Sequence, residues 1–291
     1  TSILSAYPAQ PTNSIMKDSK KIQNLPIITQ NFKAVGYETA FYYGGDDNFT
    51  NLHSYLITAG YQTIINEKNF HDNEISTKWG AYDHILFQKV KEDLNQKISG
   101  NRVGKPLFYT ILTLNSHEPF DVPTDVLKDR YLNSAYYADS CIGDFIETVR
   151  NSELWDNSLF IILPDHSFRY PYNLSNSEPY RYRIPLIWLG GAIKEQPMEI
   201  EKTCGQVDLA ATLLNQLNIE HSKFVFSHDI FAPSHPQYAF FSYPDGFGFI
   251  NKTDTALYDC GANKTIRTTN EKTLQQGKAY LQKLYDDLSQ R

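Results

Sequence analysis

The chain has 291 residues, of which 41% are hydrophobic and 21% charged, and its formal net charge is −6. This hydrophobic share supports a sizeable core, and the length suits an α/β domain with a small appendage. The acidic balance excludes a protein that binds nucleic acid through a basic surface, so an anionic substrate needs local positive charge from a metal ion or a few side chains. Three cysteines without a CxxC motif exclude a multi-bridge disulfide framework and a Cys/His zinc site.

Strand-like and helix-like segments alternate along most of the chain, which predicts an α/β fold with a mostly parallel sheet. Short apolar runs bounded by turn residues predict buried strands, and apolar residues at helical spacing predict helices. In chain order, the predicted strands are Thr39–Tyr43, Leu107–Leu114, Ser158–Leu163 and Arg183–Leu189. The predicted helices are Asn48–Ala59, Tyr82–Ile98, Asp125–Leu154 and Val207–Leu217.

The pattern changes from about Gln237, where short strand-like runs separated by turn residues predict an antiparallel meander. An amphipathic helix, Thr273–Leu288, closes the chain. We therefore expect an α/β domain over residues 1–235 and a small antiparallel subdomain over residues 236–291. No apolar stretch approaches the roughly 18–20 residues of a membrane helix. There is no signal peptide, and the start without Met predicts an excised fragment of a longer protein.

Two predicted strands deliver histidines at their carboxyl ends, where sites form in open α/β sheets. The strand Leu107–Leu114 is followed by His117, which could hydrogen-bond a phosphoryl or sulfuryl oxygen or protonate a leaving group. The strand Ser158–Leu163 is followed by Asp165 and His166, and this pair suits a divalent cation such as Zn²⁺ or Mn²⁺. In the alternative interpretation, Asp165 caps a turn and both histidines lie idle at the surface.

Other residues in the sequence indicate a functional role less strongly. Paired glycines after a strand, Gly44 and Gly45, let a backbone approach a ligand closely, although Gly-Gly-Asp is also ordinary turn chemistry. Arg169 suits an anionic oxygen because its planar fork matches phosphate and sulfate, and its alternative role is a surface salt bridge. Asp83 and Asp208 are expected to start or cap helices. The remaining histidines show no metal-ligand spacing.

Several segments, in this order, resemble the lipoteichoic-acid-synthase branch of the sulfatase family, within the alkaline-phosphatase superfamily. They are Ser2–Pro11, Tyr43–Asp46 with Phe49 and Asn51, Leu114–Phe120, Leu163–His166, Arg183–Leu186 and Gln206–Leu214. The resemblance implies an alkaline-phosphatase-like α/β/α sandwich, with a mostly parallel central sheet and a small C-terminal antiparallel-sheet subdomain.

The resemblance also implies a mechanism. A Thr or Ser attacks phosphorus, or a formylglycine attacks sulfur, while a divalent metal ion (Mn, Zn, Mg or Ca) activates the nucleophile. Two of the metal ligands map to Asp165 and His166, and His117, Asp46 and Asn51 fall on the substrate side. Arg169 stands where the sequence departs from the family pattern, and its side-chain chemistry adds it as a substrate-binding candidate. The family's metal-binding Glu and its nucleophile are expected upstream of the chain, with Thr1 as an alternative nucleophile.

The sequence departs from the family pattern in the glycine loop. Tyr43 stands where the synthases have a His, and Thr50 and Leu52 stand where they have a Trp and an Arg. Lipoteichoic acid itself is therefore not the expected substrate. The resemblance favours a phosphoglycerol transferase or phosphodiesterase acting on an anionic envelope lipid or glycan. The alternatives are a sulfatase acting on sulfated glycans, and a non-catalytic binding domain with the same fold.

The resemblance further implies a parent protein that is extracytoplasmic and anchored through N-terminal membrane helices outside this chain. The fragment is then soluble. It is expected to bind metal weakly and to turn over little or no substrate, because two of the four metal-site groups are expected upstream.

Overall fold

A computed structural model describes residues 1–12, 14–99, 104–172 and 174–291. These residues form two compact units. The first unit comprises Thr1–Asn31, Phe160–Trp188 and Glu195–Arg291, and the second comprises Phe32–Leu159 and Leu189–Lys194. Within the described residues, every helix is too short or too polar to span a membrane. The domain boundary near residue 235 stays a prediction.

The second unit contains a parallel sheet of three strands in the order β2-β1-β3. These strands are β1 (Glu38–Tyr43), β2 (Thr63–Ile65) and β3 (Leu107–Leu112). The four middle residues of β1 are all buried, as expected for a parallel strand covered on both faces. Because Glu38 pairs with Leu107 and Tyr43 with Leu112, β1 and β3 end level. The segments that follow these two strands therefore start from the same edge of the sheet.

Three helices complete this unit: α3 (Leu52–Ala59), α4 (Asp83–Ser99) and α5 (Arg130–Arg150). The amphipathic helix α4 buries Leu86 and Val90 and packs against α5 and β1. The helix predicted from Asp125 begins only at Arg130, because the Asp129 side chain caps it by accepting from the Leu132 N–H at 3.0 Å. The helix predicted from Asn48 begins as a 3₁₀ turn, and α3 starts after it.

Two short helices, α1 (Ser19–Gln23) and α2 (Ile28–Ala34), follow the N-terminal segment of the chain. In the first unit, β4 (Phe160–Ile162) pairs with β5 (Ile187–Leu189), whose last residue falls in the second unit. Helix α6 (Asp208–Gln216) follows them and buries most of its residues. The strand predicted from Arg183 is shorter than expected, since β5 begins only at Ile187.

The predicted meander is confirmed as an antiparallel sheet in the order β6-β7-β8-β9, with one strand more than expected. Helix α7 (Glu271–Gln290) packs on β7 and β8, and Leu274 and Leu284 are buried with Phe247 in this core. The Asn270 side chain caps α7 through the Lys272 N–H. The strands are β6 (Tyr238–Tyr243), β7 (Gly246–Asn251), β8 (Thr255–Asp259) and β9 (Lys264–Thr268).

Candidate functional site

In the first unit, β4 ends at Ile162 and the chain then presents Asp165 and His166. Their side chains are 60% and 66% exposed. The His166 Nδ1 lies 3.0 Å from the Ser167 carbonyl oxygen, so this nitrogen carries the proton and donates it. The His166 Nε2 lies 3.9 Å from Asp165 Oδ1. One carboxylate and one imidazole therefore converge at the carboxyl end of a strand.

The loop that carries this pair is held by Gln206, which precedes α6. The Gln206 side-chain amide donates to the carbonyl oxygens of Pro164 and Asp165, each at 2.8 Å. Both bonds come from the same nitrogen, so both of its hydrogens fix the backbone of the loop. The sequence predicted no role for Gln206 beyond membership of a motif.

Asp208 starts α6 as predicted, but its carboxylate does not cap the helix. It is buried and accepts from the Gly205 N–H at 2.9 Å and the His228 N–H at 3.0 Å. The His235 Nε2 lies 3.6 Å from the same carboxylate. Burial lowers the pKa of His235, while the charge of Asp208 acts in the opposite direction. His228, which had no predicted role, thus holds Asp208, two residues after Gln206.

The Asp165–His166 pair fits a divalent metal as part of a ligand set. Across the described ranges, no group of three or more His, Cys, Asp or Glu side chains is arranged to hold a metal ion. The donor chemistry is nevertheless that of Zn²⁺ and Mn²⁺ sites, because the imidazole is oriented by a backbone carbonyl and lies beside a carboxylate. The role of the pair as metal ligands stays a prediction.

Two further predicted residues lie in the same unit. Burial lowers the pKa of the Thr1 amino group, and the charge of Asp165 opposes this shift. Thr1 therefore lies close enough to Asp165 for their charges to interact. Arg169 is exposed in the loop that follows His166. The nucleophilic role of Thr1 and the anion-binding role of Arg169 stay predictions.

In the second unit, the loop after β3 carries the exposed His117, whose Nδ1 donates to the Glu118 carbonyl oxygen at 2.8 Å. The start of this loop is fastened by Asp83, the first residue of α4. The Asp83 carboxylate accepts from the backbone N–H groups of Leu114 at 2.7 Å and Asn115 at 3.3 Å. Asp83 therefore begins its helix as expected, and its carboxylate bonds to the segment that follows β3.

Burial raises the pKa of Asp83 to about 6, although the two N–H groups that it accepts act to lower it. The side chain is fully buried, and no basic group contributes to the shift. The Asp83 carboxyl is thus a buried acid that fastens the His117 loop and titrates just below neutral pH.

Trp79 joins the glycine loop region to the His117 loop. Its ring lies 6.0 Å from that of Phe49 and 5.4 Å from that of His117, measured between centroids. Its Nε1 donates to the Glu118 carbonyl oxygen at 2.7 Å. Trp79 was not among the predicted site residues, although the Trp79-Gly80 pair just before an amphipathic helix could have indicated it.

The glycine loop after β1 is held by backbone contacts. The Gly44 carbonyl accepts from the Ala81 N–H at 2.9 Å, and the Gly45 carbonyl accepts from the Glu67 N–H at 3.1 Å. Asp46 is exposed, and its Oδ1 accepts from the backbone and side chain of Asn48. These hydrogen bonds lower the pKa of Asp46, with the backbone N–H acting most strongly. The Asp46 carboxylate thus accepts hydrogen bonds from Asn48 within the same turn.

Asn51 lies at the end of this turn in the left-handed backbone region, with φ of 61°, and its side chain does not cap α3. The proposed substrate contacts of Asp46 and Asn51 stay predictions. The structure brings the glycine loop, Trp79 and His117 together in the second unit, and Thr1, Asp165, His166 and Gln206 together in the first. The predicted meeting of His117 with Asp165 and His166 also stays a prediction.

Comparison with known proteins gives consistent matches. The sulfatase family model matches residues 1–219. Phosphoglycerol transferase I from Xanthomonas campestris is 28% identical over 219 residues, covering 70% of this chain and 30% of the relative. Lipoteichoic acid synthase 2 from Bacillus subtilis is 26% identical over 258 residues, covering 79% of this chain and 38% of the relative. The chain thus spans well under half the length of these curated relatives.

A solved structure supports the predicted fold class. A protein in the alkaline phosphatase superfamily from Vibrio parahaemolyticus superposes with a TM-score of 0.85 at 23% identity, covering 99% of this chain and 74% of that chain. The fold is therefore that of the alkaline phosphatase superfamily, mixed α/β with a parallel sheet and a small antiparallel sheet near the C-terminus. The predicted fold class is confirmed.

Proposed function

Because the chain belongs to the sulfatase family, we propose that it is the metal-binding part of an enzyme that moves or hydrolyses a phosphoryl-linked group on an envelope lipid or glycan. The observation that carries this proposal is the Asp165–His166 pair, which converges at the end of β4 and is held there by Gln206. The reaction is that of a phosphoglycerol transferase or a phosphodiesterase. The relatives named above as phosphoglycerol transferase and lipoteichoic acid synthase support this choice.

Each candidate residue has a role in this proposal. Asp165 and His166 would hold a divalent metal ion, which as a Lewis acid supplies charge neutralisation and an activated nucleophile. His117, exposed at the end of β3, donates to a phosphoryl oxygen or to the leaving group. Arg169 pairs with an anionic oxygen through its guanidinium fork. The backbone of the glycine loop approaches the substrate, with Asp46 and Asn51 beside it.

The identity of the nucleophile decides between phosphoryl transfer and sulfate ester hydrolysis. We place it upstream of Thr1, and we expect the 291-residue chain alone to turn over little or no substrate. A Thr at that position favours phosphoryl transfer, whereas a Cys or Ser within a Cys/Ser-x-Pro-x-Arg motif favours sulfate ester hydrolysis. We propose that the parent protein lies outside the cytoplasm and is anchored to the membrane, where such lipids and glycans lie.

Turnover assays of the parent protein test the proposal. With Mn²⁺ added, we expect hydrolysis of a phosphodiester substrate and little hydrolysis of an aryl sulfate. The reverse preference would establish the sulfatase alternative. Mn²⁺ binding without turnover of either ester would instead favour a binding domain that has kept the fold and lost the reaction.

A further inference from the structure

We propose that His53 is an anion-binding residue in the second unit, oriented by the buried carboxylate of Asp47. It would donate from Nε2 to an oxygen of the phosphoryl group on the substrate, and in this respect it rests on the proposed function. No predicted role falls on either residue, and both lie close to the glycine loop: Asp47 follows it directly and His53 follows the next turn.

The contact between His53 and Asp47 is short, and it joins a half-exposed imidazole to a buried carboxylate. The His53 Nδ1 lies 2.6 Å from Asp47 Oδ2, and the side chains are 47% and 3% exposed, respectively. The His53 backbone N–H also donates to the Asp47 carbonyl oxygen at 2.6 Å. The His53 imidazole hydrogen-bonds the Asp47 carboxylate. A buried carboxylate needs such a partner, so the pair acts as one unit.

This contact fixes the orientation of the imidazole. A carboxylate can only accept, so the proton shared with Asp47 lies on Nδ1 and the opposite nitrogen, Nε2, points away from the carboxylate. Half of the side chain is exposed, which leaves this far edge of the ring accessible. A histidine held through Nδ1 by a carboxylate presents Nε2 in a defined direction to a ligand. When protonated, Nε2 donates a charge-assisted hydrogen bond to an anionic oxygen.

The backbone between the two residues is strained. Thr50 and Asn51 are consecutive non-glycine residues in the left-handed region, with φ of 53° and 61°. Thr50 is β-branched, and such residues rarely adopt this conformation. Each such residue carries a conformational cost that the surrounding structure must offset. No side-chain cap at the start of α3 offsets this cost. This turn brings the His53 N–H back to Asp47. The conformational cost of the turn is therefore coupled to the contact between Asp47 and His53.

The position of the pair matches the candidate substrate side of this unit. Phe49, in the same turn, contacts Trp79, and Trp79 contacts His117. Because β1 and β3 are parallel neighbours that end level, the turn and the His117 loop start from one edge of the sheet. The neighbouring Asp46 carboxylate is engaged by Asn48. An imidazole there offers a ring nitrogen that can bind an anion in a loop where Leu52 stands in place of the family's arginine.

The experiment measures anion binding to the chain by isothermal titration calorimetry, with inorganic phosphate and glycerol 1-phosphate as probes. We compare His53→Gln, Asp47→Ala and His53→Arg with His71→Gln, an exposed histidine in the same unit. Loss of one charge-assisted hydrogen bond weakens binding by about 10- to 100-fold, which we expect for His53→Gln. Asp47→Ala should weaken it less, because the ring remains but loses its orientation. His53→Arg should restore most of the binding, and His71→Gln should leave it unchanged.

Circular dichroism and thermal unfolding of each variant separate binding from folding. If the pair only fastens the turn, His53→Gln and Asp47→Ala lower the melting temperature equally and leave anion affinity at the wild-type value, which overturns the proposal. Should Asp47→Ala fail to fold, the ¹H NMR resonance of the His53 ring decides. We expect that resonance to shift on addition of phosphate to the wild type, and an unmoved resonance contradicts the proposal.

Turnover by the parent protein distinguishes this proposal from the function on which it rests. Metal-dependent turnover with an unchanged KM in His53→Gln would reject the role of His53 and leave the proposed function standing. A raised KM in His53→Gln, with kcat less affected, supports anion binding at His53. A wild type that neither binds these anions nor turns over an ester overturns both.

Discussion

The backbone N–H of Asp83 donates to the side-chain oxygen of Asn115 at 2.6 Å, and the Asp83 carboxylate accepts the Asn115 N–H at 3.3 Å. This reciprocal contact joins the first residue of α4 to the segment that follows β3. The loop that carries His117 therefore has its start fixed by a buried acid. A change in the charge of that acid is expected to reach both the stability of the unit and the position of His117.

Stability should depend on pH through Asp83. Burial raises its pKa to about 6, whereas an unfolded Asp has a pKa near 3.9. The folded state thus holds the proton more tightly, so the contribution of Asp83 to stability is complete below about pH 4 and is lost as pH rises through about 6. The loss is at most about 1.4 kcal/mol per pH unit. Urea unfolding between pH 4 and 7 measures it.

The matched variants for this test are Asp83→Asn, which removes the titration, and Asp125→Asn, which removes an exposed carboxylate of the same unit. We expect the free energy of unfolding of the wild type and Asp125→Asn to fall with pH relative to Asp83→Asn. Parallel curves for all three proteins would show that Asp83 does not titrate in this range.

The hydrogen bonds of Gln206 should set metal affinity. Gln206→Leu removes both donors to the loop of Asp165, so we expect Mn²⁺ to bind the parent protein about tenfold more weakly. Gln206→Glu should weaken it further, since a carboxylate would face two carbonyl oxygens. Gln216→Leu, at the exposed end of α6, is the control. Calorimetric titration with equal Mn²⁺ affinity in Gln206→Leu and Gln216→Leu would deny Gln206 this role.

Trp79 should stabilise the His117 loop in two separable ways. Trp79→Phe keeps an aromatic ring and loses the bond to the Glu118 carbonyl, a change of roughly 1 kcal/mol in the free energy of unfolding. Trp79→Ala also loses the contacts with Phe49 and His117 and should cost roughly 3 kcal/mol or more. Denaturant unfolding checks both values. The His117 ring resonance should move in the Ala variant, and an unmoved resonance contradicts the contact.

Gly80 should tolerate no side chain. Its φ is +139°, and an added Cβ would lie 2.1 Å from the Gly44 carbonyl oxygen. Backbone strain alone costs roughly 1–3 kcal/mol. Because the added Cβ also clashes with Gly44, Gly80→Ala is expected to destabilise the second unit by more than this amount. Gly143, in α5, has open space around its Cβ position, so Gly143→Ala should stabilise by roughly 0.5–1 kcal/mol. Thermal unfolding that ranks these variants in the opposite order would contradict the packing described for the glycine loop.

The sequence predicted those features that depend on local pattern. Apolar runs located β1 and β3, and polar residues just beyond strands located His117, Asp165 and His166. It missed β2, which has only three residues, and β9, whose Ile266 is exposed and whose pattern is polar. Such strands take their hydrogen bonds from neighbours that the local pattern does not reveal.

Side-chain partnerships were the part of the site that could not be predicted. Asp47, Asp83 and Asp208 are carboxylic acids, which are usually exposed, yet each is buried in the fold. Their partners lie at separations set by tertiary structure: His53 across a strained turn, Asn115 after a distant strand, and His228 beyond α6. Gln206 was visible in a motif, but its bonds to the Asp165 loop depend on how that loop folds.

Metal binding to the parent protein tests the central claim most directly. We expect Mn²⁺ to bind the wild type, with phosphodiester turnover that depends on it, and we expect Asp165→Asn and His166→Gln each to abolish both. His221→Gln, a half-buried histidine of the same unit, should retain them. Wild-type Mn²⁺ affinity and turnover in the Asp165 and His166 variants would show that this pair is not the metal site.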